Sequence, residues 1–126
     1  MAGTYDDSNI FAKILAGDIP CNKVYEDEFV LAFHDINPQT DVHVLVIPKG
    51  PYVSLADFAA KAAPELITGF YRAVSHIARE LLQLDEGGYR TITNHGANAH
   101  QEVPHFHLHI LGGRPLGPML DRQFSG

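Results

Sequence analysis

At 126 residues, with 45% hydrophobic and 19% charged side chains, the chain is sized for one domain spanning 1-126 with a real core, and its composition excludes disorder. A formal net charge of -6 disfavours broad contact with nucleic-acid backbone, which requires clustered lysine and arginine, so any phosphate site must be local. No apolar run approaches the roughly 20 residues of a membrane span, the polar opening Met1-Ala2-Gly3-Thr4-Tyr5 reads as no signal peptide, and a cytoplasmic location is expected.

In chain order, Asp6-Asp7-Ser8 is placed to cap a short helix whose apolar residues Ile10, Phe11, Ile14 and Leu15 recur at helical spacing, with Gly17 as its stop. That stripe suits core packing or the wall of a ligand pocket. The single cysteine, Cys21, permits no internal disulfide and no Cys-x-x-Cys metal knuckle, and reads as a small half-buried residue. Val24-Tyr25 suggests a brief strand. The run Phe29-Val30-Leu31-Ala32-Phe33 reads as a buried strand, and Val42-His43-Val44-Leu45-Val46-Ile47 as its antiparallel neighbour across the loop that begins Asp35-Ile36-Asn37-Pro38-Gln39. His43 opens the second of these strands, either as a hydrogen-bonded structural residue or as part of a site.

The segment around Ser54-Leu55-Ala56-Asp57-Phe58 reads as loop. Pro64 to Leu84 carries a 3.6-residue apolar stripe, with Pro64 in the first turn and Gly87-Gly88 past the end, and is the one long helix, on which His76 is a surface residue. Tyr89-Arg90-Thr91-Ile92-Thr93-Asn94 alternates as a strand does. A polar loop from His95 to Pro104 leads into His105-Phe106-His107-Leu108-His109-Ile110-Leu111, read as the last strand, and the tail 115-126 as irregular. The pattern is that of an α+β domain.

In the last strand histidine alternates with large apolar residues, so His105, His107 and His109 share one face while Phe106, Leu108 and Ile110 bury the other. Same-face residues two apart stand about 6.6 to 7 Å from one another, which does not suit three imidazoles on one metal ion. A site of two histidines completed by His43 or a loop residue stays open. So does a different use: a neutral imidazole attacks phosphorus, a neighbouring one protonates the leaving group, and Asn94 with loop amides steadies the phosphate oxygens. The central residue, His107, suits the nucleophile. Ser8, Ser54 and Ser75 lack a nucleophile-elbow motif.

The His-Phe-His-Leu-His-Ile-Leu run resembles the signature of the histidine-triad (HIT) family. The likeness extends upstream through Asp35-Ile36-Asn37-Pro38-Gln39 and His43-Val44-Leu45-Val46-Ile47-Pro48-Lys49, and downstream through Gly112-Gly113-Arg114. Taken together, from about Ile10 to Arg114, these blocks look like the Hint branch, the histidine-triad nucleotide-binding proteins. The resemblance implies a core of about 8-114 folded as a five-stranded antiparallel sheet with one long and one short helix, the sheet extended across a homodimer. It implies a purine nucleoside monophosphate or its phosphoramidate as ligand, and hydrolysis of phosphoramidate or acyl-phosphate bonds at the alpha-phosphate through a nucleotidyl-histidine, with no metal and no cofactor. By motif, His107 matches the nucleophile, His109 the residue at phosphate and leaving group, and His105 and His43 the supporting histidines that set the nucleophile's orientation and tautomer. Asp35 matches the ribose-binding carboxylate and Asn94 the amide beside the phosphate. The base-pocket wall is matched by Ile10, Phe11, Ile14, Ile19, Phe33 and Ile36.

Three departures bear on specificity. Glu102 stands where animal members carry serine, although the backbone amides of Gln101 and Glu102 remain available to phosphate. His100 stands where glycine is common. The chain has no tryptophan, which animal relatives carry in the C-terminal tail. Alternatives to the phosphoramidate reading are a dinucleoside polyphosphate hydrolase and a non-catalytic nucleotide- or zinc-binding protein, with the Gly-Gly-Arg ending favouring the Hint branch.

Overall fold

The run Val42-His43-Val44-Leu45-Val46-Ile47-Pro48 is apolar at nearly every position, a composition that is stable as a strand only with both faces covered. It forms β3 (Val42–Pro48) at the centre of the sheet, buried from His43 onward. Its neighbours are β2 (Val30–His34) and β5 (Leu108–Gly112), and β1 (Lys23–Glu26) and β4 (Tyr89–Ile92) complete the antiparallel order β1-β2-β3-β5-β4. The structure is a computed structural model and describes residues 4–120. The α+β class and the five antiparallel strands expected from the sequence are present.

Alternation along the strands divides the molecule into two layers. On one face Val30, Ala32, Val44, Val46, Leu108 and Ile110 pack beneath helix α3 (Pro64–His76) and the π-helical turn Ile77–Leu81 that prolongs it. Phe58, Phe70 and Phe106 join that core with ring centroids 4.7 to 5.4 Å apart, within the range where aromatic pairs add to their burial. On the opposite face Leu31, Phe33, Leu45 and Ile47 meet Phe11 of the short helix α1 (Ile10–Leu15). This second layer is thinner, and the cavity described below opens within it.

Several expected boundaries shift. The cap of α1 is Asn9, whose Oδ1 accepts from the Ala12 N–H at 2.9 Å, whereas the Asp6 carboxylate turns to the Ser8 N–H. The segment read as loop around Asp57 contains helix α2 (Leu55–Lys61), so the described residues hold three α-helices where one long and one short were expected. Seven residues span about two turns, too few for a periodic stripe to show; the helix is held by the buried Phe58 and by Asp57, whose carboxylate accepts from the Val53 N–H and pairs with Lys61. The long helix ends at Leu81 rather than Leu84, and Gln83 turns the chain with φ +53°. The last strand begins only at Leu108. Phe106 donates its N–H to the Tyr52 carbonyl at 2.7 Å instead of to β3, so His105, in a bend, and His107 lie ahead of the ladder, yet their alternation between faces is kept. The tail is irregular to Leu120, and 121–126 fall outside the described residues. Among the described residues no helix is long and apolar enough to cross a membrane.

Of the buried polar residues His105 is the most completely enclosed, with no exposed surface. The Tyr5 hydroxyl donates to its Nδ1 at 2.6 Å, its Nε2–H donates to the Pro48 carbonyl at 3.2 Å, and the Asn9 amide donates to the Tyr5 oxygen at 3.0 Å. Both ring nitrogens are thereby satisfied in the neutral form, as burial requires. Burial is the main cause that lowers its pKa from 6.5 to about 4, outweighing the Pro48 carbonyl, which favours the cation. Between those two values the unfolded chain takes up a proton that the folded chain refuses, so the contribution of His105 is complete above pH 6.5 and declines as the pH falls towards 4. Urea midpoints are therefore expected to drop from pH 7 to pH 5, with a shallower drop in His105→Gln; parallel pH profiles for the two proteins would refute this account.

Candidate functional site

A cavity of about 580 Å³, of a size that suits a small organic ligand, opens on the α1 side of the sheet. Four segments build it. Helix α1 and the chain just after it supply Ile10, Phe11, Ile14, Ile19 and Cys21; the end of β2 and the following loop supply Phe33, His34, Asp35, Ile36 and Gln39; β3 supplies His43 and Leu45. Asn94, His100, Glu102, His107 and His109 close the polar end. Of the residues singled out in the sequence, all but His105 and Gln101 line this cavity.

His105 acts from behind the wall, through its backbone. Its carbonyl accepts from His107 Nδ1–H at 2.7 Å, which assigns the proton of neutral His107 to Nδ1 and leaves the lone pair on Nε2. The Phe11 ring meets that imidazole edge-on with centroids 5.0 Å apart, and His107 is only 7% exposed. The hydrogen bond thus sets the tautomer of this ring, and edge-on contacts with Phe11 and with His109, the latter at 5.1 Å, help hold its position.

His43 and His109 form the second unit. The Gln39 N–H donates to His43 Nδ1 at 3.1 Å, so neutral His43 carries its proton on Nε2. That Nε2 lies 2.9 Å from His109 Nδ1 and 3.4 Å from Asp35 Oδ2. His109 therefore accepts at Nδ1 and keeps its proton on Nε2. In this geometry His43 orients His109, its direct contact, while the orientation of His107 is set by the His105 carbonyl. Asp35 is itself held, since its Oδ1 accepts from the Asn37 N–H at 2.8 Å and its own N–H donates to the His43 carbonyl at 3.0 Å.

Burial keeps these rings uncharged. It is the largest cause lowering the pKa of His107 and of His43, in both cases against Asp35, which pulls the other way. For His109 burial acts first, followed by the adjacent His107 and His43, and the value falls to about 4. An imidazole of this kind at neutral pH offers a lone pair or an N–H, according to its tautomer, and no net charge. Among the described residues no lysine or arginine lines the cavity, and its ionisable lining consists of histidines, Cys21, Asp35 and Glu102.

The loop from 95 to 104 carries a short 3-10 turn, Ala97–Ala99, and is braced by Gln101. The Gln101 side chain accepts from the Gly96 N–H and donates to the carbonyls of Val53 and Val103. Its side chain thus organises the loop from outside the cavity. His100 follows in the left-handed region with φ +57°, the conformation that makes glycine natural at such a position. As for metal, donor atoms of Asp35, His43 and His109 lie within 4.8 Å of one another. The triple differs from a pair of alternating strand histidines, and its two imidazoles already hydrogen-bond each other, an arrangement that an ion would have to displace. Residues not anticipated in the lining are Cys21, Asn22, His34, Gln39 and Leu45, which become neighbours only when α1 folds over β2 and β3. Gln39 acts through its backbone N–H, for which a sequence carries no side-chain signal.

Comparisons with known proteins bear on the family and the fold. The chain is 55% identical over 122 residues to an uncharacterized 13.2 kDa HIT-like protein of Azospirillum brasilense, covering 97% of this chain and 99% of the relative. It is 42% identical over 114 residues to the purine nucleoside phosphoramidase of Escherichia coli K12, covering 90% and 94%. Among solved structures, a histidine triad protein from Clostridium difficile superposes with TM-score 0.81 at 42% identity, covering 90% of this chain and 96% of that one. A HIT family hydrolase from Legionella pneumophila superposes with TM-score 0.77 at 39% identity, covering 86% and 96%. Residues 16–116 match the model of the HIT domain, and with it the alternating histidines and the cavity they face take their place: the chain belongs to the HIT family.

Proposed function

We propose that the chain hydrolyses nucleoside 5'-phosphoramidates at the alpha-phosphate through a nucleotidyl intermediate on His107. The observation that carries this reading is the hydrogen bond from His107 Nδ1–H to the His105 carbonyl, which presents an unprotonated Nε2 to the cavity. The purine nucleoside phosphoramidase among its relatives supports the same reading.

In the first step the His107 Nε2–P bond forms as the P–N bond breaks. His109 Nε2–H hydrogen-bonds the departing nitrogen, which leaves as the free amine with a proton drawn from solvent. Positive charge developing on His107 is eased by the His105 carbonyl at its Nδ1–H. Water then attacks phosphorus, the Nε2–P bond breaks, and the proton taken up earlier is returned, giving the nucleoside monophosphate. Asp35 accepts from the ribose hydroxyls, Asn94 and the amides at Gln101 and Glu102 bind phosphate oxygens, and the purine lies against Ile10, Phe11, Ile14, Ile19, Phe33 and Ile36. The apolar end of the cavity is suited to a base and the histidine end to a phosphorus centre.

The reading includes a homodimer in which the sheet continues through one of its edge strands, β1 or β4, since an unpaired edge offers a ready ladder. Sedimentation is expected to give twice the 13.9 kDa chain mass, and a monomer at micromolar concentration would exclude it. Release of AMP from adenosine 5'-phosphoramidate is expected to fall by several orders of magnitude in His107→Asn. Equal rates for the two proteins would remove the nucleophile assignment.

The Asp35, His43 and His109 donors raise a second reading, a bound zinc ion. In the metal-free mechanism, AMP release survives exhaustive chelation. Loss of turnover on chelation, with recovery on added zinc, would transfer the chemistry to the metal.

A further inference from the structure

Among the described residues, none that lines the cavity proposed to hold an anionic phosphorus centre carries a permanent positive charge. Of its lining histidines, burial lowers the pKa of His43, His107 and His109, whereas His34 and His100 are exposed; no lysine or arginine among the described residues reaches the lining, and two carboxylates, Asp35 and Glu102, face into it. The whole chain adds a background of -6. Every further negative charge on a substrate is therefore repelled, and a positive charge is attracted, wherever it comes close to one of these carboxylates.

The two carboxylates differ in placement. Asp35 is anchored at the foot of the cavity by the Asn37 N–H and faces His43. Glu102 stands in the loop at the polar end, its side chain 74% exposed, at the end of the cavity that His107 and His109 also line. Its partner is His100, with Nε2 at 3.0 Å. Histidine carries no fixed charge, so the carboxylate has no permanent counter-ion there. Nor is Glu102 a freely moving surface group in the sense of its backbone: the adjacent Gln101 ties the loop to Gly96, Val53 and Val103.

We propose that Glu102 selects the leaving group, favouring phosphoramidates whose amine carries a second, pendant positive charge and disfavouring leaving groups with a carboxylate or additional phosphates. The proposal rests on the hydrolase reading above and names the class of substrate for that site. It also separates that class from dinucleoside polyphosphates, whose leaving groups would bring several negative charges past Glu102.

The test uses three adenosine 5'-phosphoramidates of matched length, made from 1,4-diaminobutane, n-butylamine and 4-aminobutyrate, with pendant ammonium, methyl and carboxylate. We expect kcat/KM to rank ammonium above methyl above carboxylate, the outer two differing on the order of ten-fold at low salt, as an attraction and a repulsion at an exposed charge combine. The spread should shrink as salt is raised. In Glu102→Gln it should collapse towards one, and in Glu102→Lys it should invert. Charge-independent turnover of all three, or a spread unchanged in Glu102→Gln, overturns this proposal and leaves the hydrolase reading standing. Release of AMP from none of the three overturns the hydrolase reading, and this proposal with it.

Discussion

The site depends on the hydrogen bond between His107 Nδ1–H and the carbonyl of His105, two residues upstream. Both ends of that bond belong to one short stretch of chain, so the direction of the imidazole is set by the backbone, and the backbone is set by what lies on either side of it. Phe106 is held in the aromatic core, and its N–H is engaged by Tyr52. The His105 ring is held by Tyr5 and Pro48. A ring aimed by the buried Phe106 and His105 is pre-organised, and as the proposed nucleophile it would lose less entropy on the way to the transition state.

Burial has a second consequence, which is electrostatic. Removing these imidazoles from water disfavours their cations, so the lone pair of His107 and the N–H of His109 persist at neutral pH. Among the described residues the cavity wall also lacks the lysine and arginine clamps common at phosphate sites. Neutral N–H groups and backbone amides are then what a phosphate would meet, with the Asp35 and Glu102 carboxylates bounding the space. Asp35 is tied both to its own loop and to His43, so the group facing the proposed ribose position and the pair that includes His109 form one connected network.

Much of the architecture was legible because the two periods of the chain are strong. The period of two in β2, β3 and the approach to β5 separates a helix-covered face from a cavity face, and the period of 3.6 in α3 identifies the cover. The less legible parts have physical reasons. Helix α2 is too short for periodicity and depends on Phe58 finding the core and on Asp57 reaching the Val53 N–H. The start of β5 is decided by where Phe106 finds a carbonyl, a partner far away in sequence. The cap of α1 moves from Ser8 to Asn9 because Asn9 also reaches the Tyr5 hydroxyl that binds His105.

The amino-acid order by itself determined which side of the chain the candidate histidines occupy, since alternation along an extended chain is a local property. It placed His43, Asp35 and Asn94 as candidates because of their blocks, each read in its own segment. Only tertiary structure decided the contacts: that His43 meets His109, that His105 works through its carbonyl and its burial, that the Gln101 side chain braces a loop, and that Cys21 and Gln39 belong to the site. Those outcomes depend on distances between segments tens of residues apart, and on backbone donors and acceptors that every residue shares, for which sequence has no distinguishing letter.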